Sequence, residues 1–340
     1  MRLLILLVVV MYGGDVQSQP DSTLTRLQRA VKLHDAGEYD AAISIYDEVI
    51  RLDSANLLAW YEKSFSLYAS RKYLACAALC SAVLKRFSKG DELDNIYVNY
   101  GVSLDALKQT DDAIKIYNEG ISKFPDNHLL YFNRAIAYDR QQMQMLAIND
   151  VQQALRIQPS HAASHLLLGT IMRNSNRIAA ALSLSTYLLL EPNAGKTSMA
   201  YAAFCAAVGI PVNSNNYRLR NNVNVLRPDS ALDIAFSKTL QAMQVLSAAE
   251  GALDSDSTNS IDIRVRRRIE ILALIDTGDQ HNFFLDFYCP FFSALQRAGY
   301  AETAAEIICA AGRDSTAQEW VAANAGQMQA FSRWLRNYKW

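Results

Sequence analysis

No excess of charge of either sign marks this chain: 33 lysines and arginines stand against 34 aspartates and glutamates, a formal net charge of −1. That balance excludes a general electrostatic affinity for nucleic acid or for anionic membrane surfaces, both of which need a basic excess. Long hydrophobic runs are missing too. Beyond the N-terminal segment no stretch reaches the roughly 18 apolar residues of a membrane-spanning helix. The five cysteines, Cys76, Cys80, Cys205, Cys289 and Cys309, are odd in number and lack framework spacing. They read as small buried hydrophobes, not as a disulfide scaffold.

Catalytic signatures are equally scarce. Gly195-Lys196-Thr197 imitates the end of a phosphate loop, but the glycine that would open the cradle falls at Leu190. Asp254-Ser255-Asp256 lacks the glycine and distal glutamate of a calcium loop and reads as a solvated turn. His161 and His165 have the spacing of two metal ligands on one helix face, yet no third ligand suggests itself, so they read as packing residues. Arg264-Val265-Arg266-Arg267-Arg268, the one basic run, reads as a solvated helix face and not as a phosphate site. No Ser–His–Asp or Cys–His constellation can be drawn. The expectation is a chain without catalysis, cofactor or metal.

What is present begins at the N-terminus. Arg2, the apolar run Leu3–Met11 and the small-residue pattern Val16-x-Ser18 have the layout of a secretory leader cleaved after Ser18. The apolar run is too short to anchor in a bilayer. Residues 1–18 are therefore expected to be a signal peptide, and the mature protein to be secreted or periplasmic.

The dominant feature is a repeat. A small residue recurs at Ala30, Ser64, Gly101, Ala135 and Gly169, and a second at Ala42, Cys76, Ala113, Ala147 and Ala181, with spacings of 34, 37, 34 and 34 in both series. A period of about 34 residues is that of stacked helix–turn–helix units. Small side chains at two fixed points let paired helices approach closely. The three extra residues before the third unit fall at Ser88-Lys89-Gly90-Asp91, a turn-like segment that absorbs an insertion.

The repeats resemble the tetratricopeptide-repeat family, through Gly37-Glu38-Tyr39-Asp40-Ala41-Ala42-Ile43, Trp60, Asp112-Ala113-Ile114, Pro125, Tyr131, Ala147-Ile148 and Pro159 among others. The resemblance covers about half the chain. It implies an all-α, helical-hairpin repeat solenoid of five units, at about 23–56, 57–93, 94–127, 128–161 and 162–195, within an array spanning 19–192. It further implies an interaction scaffold whose first helices line a concave groove. Carried onto this sequence, the groove positions give Tyr61, Phe65, Tyr68, Val98, Asn99, Phe132, Asn133, Ile136, Arg140 and Arg173. Family members that clamp acidic chaperone tails carry Lys at the fifth and Asn at the ninth position of these helices. Here Leu27, Tyr61, Val98, Phe132 and Leu166 stand at the fifth, and Val31, Phe65, Val102, Ile136 and Thr170 at the ninth. The expected partner is accordingly a protein or peptide offering an amphipathic helix or an extended apolar segment.

After Pro192 the period fails. Helices are expected at Thr197–Val208, about Asp229–Ala249 and Ile261–Asp276, with a polar stretch, Gly209–Pro228, whose Val223-x-Val225 hints at a short extended piece. His281–Phe292 then packs six aromatics into twelve positions, and Pro290 is expected to kink the helix there. Residues 197–340 are expected to form a helical, aromatic-rich region docked on the array, with Phe287, Phe291, Trp320 and Trp334 buried. This tail is similar to one that follows tetratricopeptide arrays in exported proteins of gram-negative bacteria, which implies a periplasmic or outer-membrane-associated location. The alternative reading is an enzyme or a structural assembly subunit with its activity in residues 209–340.

Overall fold

The computed structural model describes residues 22–211, 231–252, 260–276 and 281–340. The leader, the Val223-x-Val225 segment and the Asp254-Ser255-Asp256 turn lie outside the described residues.

Five helical hairpins come first: α1 (Thr23–Asp35) with α2 (Tyr39–Leu52), α3 (Leu57–Ala69) with α4 (Tyr73–Arg86), α5 (Leu93–Ala106) with α6 (Thr110–Lys123), α7 (His128–Arg140) with α8 (Gln144–Ile157), and α9 (Ala162–Met172) with α10 (Arg177–Leu190). Side chains one residue ahead of several helices hold their first free N–H groups. Asn56 accepts from Ala59 N at 3.1 Å, Asn127 from Leu129 N at 2.9 Å and Asn176 from Ala179 N at 2.8 Å. All ten small positions of the repeat are buried, because each is where one helix of a pair meets the other.

The turn inside each of the first four hairpins is built alike. A left-handed residue follows the first helix: Gly37 (φ 82°), Arg71 (61°), Lys108 (66°) and Gln142 (62°). The next N–H reaches back to a carbonyl five residues earlier, Glu38 to Leu33 at 2.9 Å and Lys72 to Leu67 at 2.8 Å, with the same bond from Gln109 to Leu104 and from Met143 to Tyr138. Only the first turn uses glycine, so three of the four are invisible to a search for turn residues. The fifth hairpin departs: Ser175 N and Asn176 N both bond the Met172 carbonyl, and Asn176 then caps α10.

Among the described residues seven more helices follow: α11 (Thr197–Val208), α12 (Ala231–Ala252), α13 (Ile261–Ala273), α14 (Phe283–Arg297), α15 (Ala301–Ala311), α16 (Ser315–Ala323) and α17 (Ala325–Asn337). The left-handed turn returns at Gly299 (φ 77°) and Arg313 (67°), so α14, α15 and α16 are hairpin-connected although the sequence period has lapsed. The described residues contain no helix long and apolar enough to cross a membrane.

The chain divides into two compact units, one ending at Gly120 and the other running from Ile121 to Trp340. In the first, Leu27, Ala30, Ala42, Tyr46, Val49 and Ala59 form a core joining α1, α2 and α3. In the second, a single core runs from Ala135 in the fourth repeat to Phe331 in α17. Its axis is α10, where every residue from Ile178 to Leu189 is buried. An amphipathic repeat helix would keep one polar face; here α9, α11, α14 and α15 surround it.

Two details correct the sequence reading of the C-terminal region. Arg268 is not on a solvated face but wholly buried, donating from Nη1 and Nη2 to Glu250 at 3.0 and 2.8 Å, from Nε to the Val208 carbonyl at 3.1 Å and from Nη2 to Ser247 Oγ at 3.0 Å. A buried guanidinium needs its donors answered, and carbonyl, hydroxyl and carboxylate groups from α11 and α12 converge to do so. Arg266 and Arg267 keep to the surface, pairing with Glu270 and Glu250. Of the four aromatics expected inside, Phe291 is fully buried, whereas Phe287, Trp320 and Trp334 are half-buried. α14 runs through Pro290, whose ring lies on the exposed side, so the missing N–H is lost where water can answer the carbonyl it leaves.

Candidate functional site

The residues expected to line a groove fall in both units, and each unit presents its own surface. In the first, Tyr61, Phe65 and Tyr68 follow one another at helical spacing along α3, so they share a face, and all three are half-buried. Phe65 stacks on Tyr61 at 6.3 Å between ring centroids and on His34 of α1 at 4.7 Å and 20°. Tyr68 tilts against Tyr73 at 5.6 Å. Sequence reasoning missed His34. Its Nδ1 lies 2.7 Å from Ser66 Oγ and its ring also meets Tyr39 edge-on, so it fixes the position of Phe65. Its place at the C-terminal end of α1 was legible; the contact to a residue 32 positions away was not.

Val98 and Asn99 do not join that face. Both are buried, and Asn99 donates from Nδ2 to Ser64 Oγ at 2.8 Å. Ser64 passes its own proton to the Tyr61 carbonyl at 2.7 Å, and Cys76 donates to the Ser64 carbonyl at 3.2 Å. The Asn99–Ser64 bond joins the third repeat to the second, and the other two lie within the second. The correction comes from packing: the position that is open in an end-on view of one hairpin is closed by its neighbour.

In the second unit Phe132 meets His161 edge-on at 4.8 Å, and His161 meets His128 at 4.7 Å. His161 Nδ1 lies 2.8 Å from Ser164 Oγ. Burial, with a smaller contribution from the neighbouring His128 charge, pushes His161 down to about 4, and burial lowers His128. Both rings are therefore neutral near pH 7, and this cluster presents apolar and hydrogen-bonding character without charge. Asn133 turns its amide back to the Leu129 carbonyl at 2.8 Å, Ile136 is half-buried, and Arg140 and Arg173 are exposed at the ends of α7 and α9. Arg134, next to these, is structural: it forks onto Asp150 at 2.7 Å twice and lies between Tyr131 and Tyr138.

His165 is fully buried and both nitrogens are engaged, which leaves none for a metal. Nε2 donates to the Pro159 carbonyl at 2.8 Å, since a carbonyl can only accept, and Nδ1 then accepts from the Tyr288 hydroxyl at 2.8 Å. Burial holds it near 3, so the imidazole is neutral. The five cysteines are buried free thiols, and burial pushes Cys205 and Cys289 up to about 12. Thiols held in that state are poor nucleophiles. The described residues hold no cluster of three or more His, Cys, Asp or Glu side chains that could bind a metal ion.

Residues 97–127 match the family described as tetratricopeptide repeat. The WD and tetratricopeptide repeats protein 1 of Mus musculus is 30% identical over 108 residues, which make up 31% of this chain and 15% of that protein. The chain thus spans about 15% of the length of the curated relative it matches. Among solved structures, a thermophilic TPR protein of Thermus thermophilus is 15% identical, with a TM-score of 0.46, over 56% of this chain and 100% of that one. A tetratricopeptide repeat protein from Parabacteroides merdae is 15% identical, with a TM-score of 0.42, over 86% of this chain and 98% of that one. Residues 97–127 thus match a tetratricopeptide repeat, and the five hairpins in one register, with their ten buried small positions, repeat the same helix–turn–helix form.

Proposed function

We propose that this protein is an exported, non-catalytic scaffold that holds segments of an envelope partner protein against the first helices of its repeats. The observation that carries the reading is the aromatic face of α3, where Tyr61, Phe65 and Tyr68 stand side by side, half-buried and held in place from behind by His34. Rigid aromatics lose little entropy on binding and form the anchors on which interface energy concentrates. The neutral Phe132–His161–His128 cluster offers a second surface of the same character in the other unit. Neither surface gathers the charge that recognition of an acidic tail needs. A partner segment with apolar or aromatic side chains, helical or extended, fits them. Export rests on the leader-like layout of residues 1–18.

The test has two arms. Mature protein from the producing cell should begin near Gln19 and fractionate outside the cytosol; an intact Met1 in cytosolic material would refute export. Separately, Tyr61→Ala/Phe65→Ala and Phe132→Ala should each weaken capture of envelope partners at least about 30-fold while leaving the helical circular-dichroism signal, as loss of interface anchors does. Capture unchanged by all three substitutions would remove these faces from the reading.

A further inference from the structure

The second repeat carries a pair of sulfurs that the packing of repeats does not call for. Cys76 stands where the other four repeats have Ala42, Ala113, Ala147 and Ala181. Cys80, four residues on, stands where they have Tyr46, Tyr117, Val151 and Ser185. The fold thus accepts alanine at the first position and several shapes at the second. In α4 the two sulfurs lie 4.0 Å apart, and both residues are fully buried. Cys76 Sγ also lies 3.2 Å from the Ser64 carbonyl and 3.8 Å from the Asn99 carbonyl, so α3, α4 and α5 all close on the pair.

A third group there is unanswered. Ser103 of α5 is fully buried, and its hydroxyl makes no hydrogen bond. It stands beside Cys76. Contact with the Cys80 thiol lowers Cys76 against the upward push of burial, with help from the Ser103 hydroxyl. The same sulfur contact, with burial, pushes Cys80 well up. A buried O–H without an acceptor is a cost that native structures seldom leave standing. An ionised sulfur next to Ser103 would remove it.

We propose that Cys76 and Cys80 are the two ligands of a buried site for one soft monovalent cation, Cu(I), with Ser103 donating to the Cys76 sulfur. Binding releases both thiol protons and leaves a complex of charge −1, which the Ser103 hydroxyl answers. Soft thiolates select Cu(I), whereas structural Zn(II) asks for four ligands, and among the described residues no third Cys, His, Asp or Glu joins the pair. With metal–sulfur bonds of about 2.3 Å, sulfurs 4.0 Å apart hold one ion at an S–metal–S angle of about 120°. Parting by about 0.6 Å would make the arrangement linear. A disulfide fits less well. Side chains four apart on a helix have Cβ atoms about 5–6 Å apart, and a disulfide needs about 3.5–4.5 Å, so α4 would have to distort. Both sulfurs are closed from solvent, so loading waits on α4 and α5 parting, and the bound ion then holds them together. The site needs no partner protein and stands or falls apart from the scaffold reading.

The test titrates the full chain, reduced and under nitrogen, with Cu(I) held by a chromophoric chelator of known affinity. The expected result is slow uptake of Cu(I) with two sulfur neighbours in its X-ray absorption spectrum. Ser103→Ala should weaken binding roughly 10–100-fold, as loss of a partner behind a metal ligand does. Cys76→Ala, which installs the residue that the other four repeats carry, should weaken it by more. Cys205→Ala, Cys289→Ala and Cys309→Ala, each made singly, should leave it unchanged. In wild type, Cu(I) should slow hydrogen exchange within 73–86 and 93–106, a readout that needs no variant. No uptake against the chelator, uptake indifferent to Cys76→Ala, or unchanged exchange would overturn the proposal. Displacement of Cu(I) by equimolar Zn(II) would overturn the choice of ion. A Cys76–Cys80 disulfide in protein taken from the cell, with no Cu(I) uptake after reduction, would assign the pair to redox chemistry instead.

Discussion

Arg268→Met is the most demanding single test of how the second unit is held together. The substitution keeps the length of the side chain and removes a buried charge that makes two bonds to Glu250, one to the Val208 carbonyl and one to Ser247. Ser247 stays satisfied through the Met243 carbonyl at 2.8 Å. Glu250, only 3% exposed, loses both of its Arg268 bonds. Breaking a buried pair from one side costs about 3–5 kcal/mol, because the remaining charge stays desolvated while its bidentate counter-ion is gone. For a unit of this size that corresponds to roughly 6–20 °C in the melting temperature. Arg268→Met/Glu250→Met should recover most of the loss, to within about 2 kcal/mol of wild type, since a buried pair replaced by apolar residues is often near neutral. Arg268→Lys should fall between, because one ammonium cannot serve the carboxylate and the Val208 carbonyl together. Urea and thermal unfolding of these four proteins and of Glu250→Met close the cycle. A single variant within about 1 kcal/mol of wild type, or a double variant no better than the single, would refute the account.

Gly101→Ala should destabilise by about 1–3 kcal/mol in urea melts, because the added Cβ would lie 2.2 Å from the ring of the buried Tyr117 and overpacking outweighs the helix propensity gained; a variant more stable than wild type would show that α5 and α6 separate freely. Glu306 is held up at about 7, first by burial and then by Asp262, Glu302 and Asp314. Its folded value lies above the unfolded one of about 4.3, so its contribution is fully present below about pH 4 and is lost as pH rises through 7. Wild type should therefore lose on the order of 2–3 kcal/mol between pH 5 and 8 that Glu306→Gln retains, and an unchanged pH slope in the variant would exclude this carboxyl as the cause.

The legible part of this protein was the part whose physics is local and periodic. The ten small positions and the helices α11 and α13 could be read because 3.6-residue periodicity and side-chain volume leave marks at fixed spacing. The site was legible only as a choice of faces. Tyr61, Phe65 and Tyr68 could be placed on one side of α3, but nothing local distinguishes them from Asn99, which the neighbouring repeat closes off through Ser64. Arg71, Lys108 and Gln142 adopt the same left-handed turn as Gly37 without the residue that would announce it, since the back-bond that follows compensates their strain.

By itself, then, the sequence determined the repeat, its register and the helical class, because close helix approach demands small residues at recurring positions whatever the neighbours are. Tertiary structure alone decided the fate of isolated polar groups. Arg268 reads as one more arginine in a basic run until carbonyl, hydroxyl and carboxylate groups 18 to 60 residues away converge on it. His165 reads as half of a ligand pair until Pro159 and Tyr288, the latter 123 residues distant, take both of its nitrogens. Burial and hydrogen-bond partnership are properties of what the chain brings together, and no spacing along it records them.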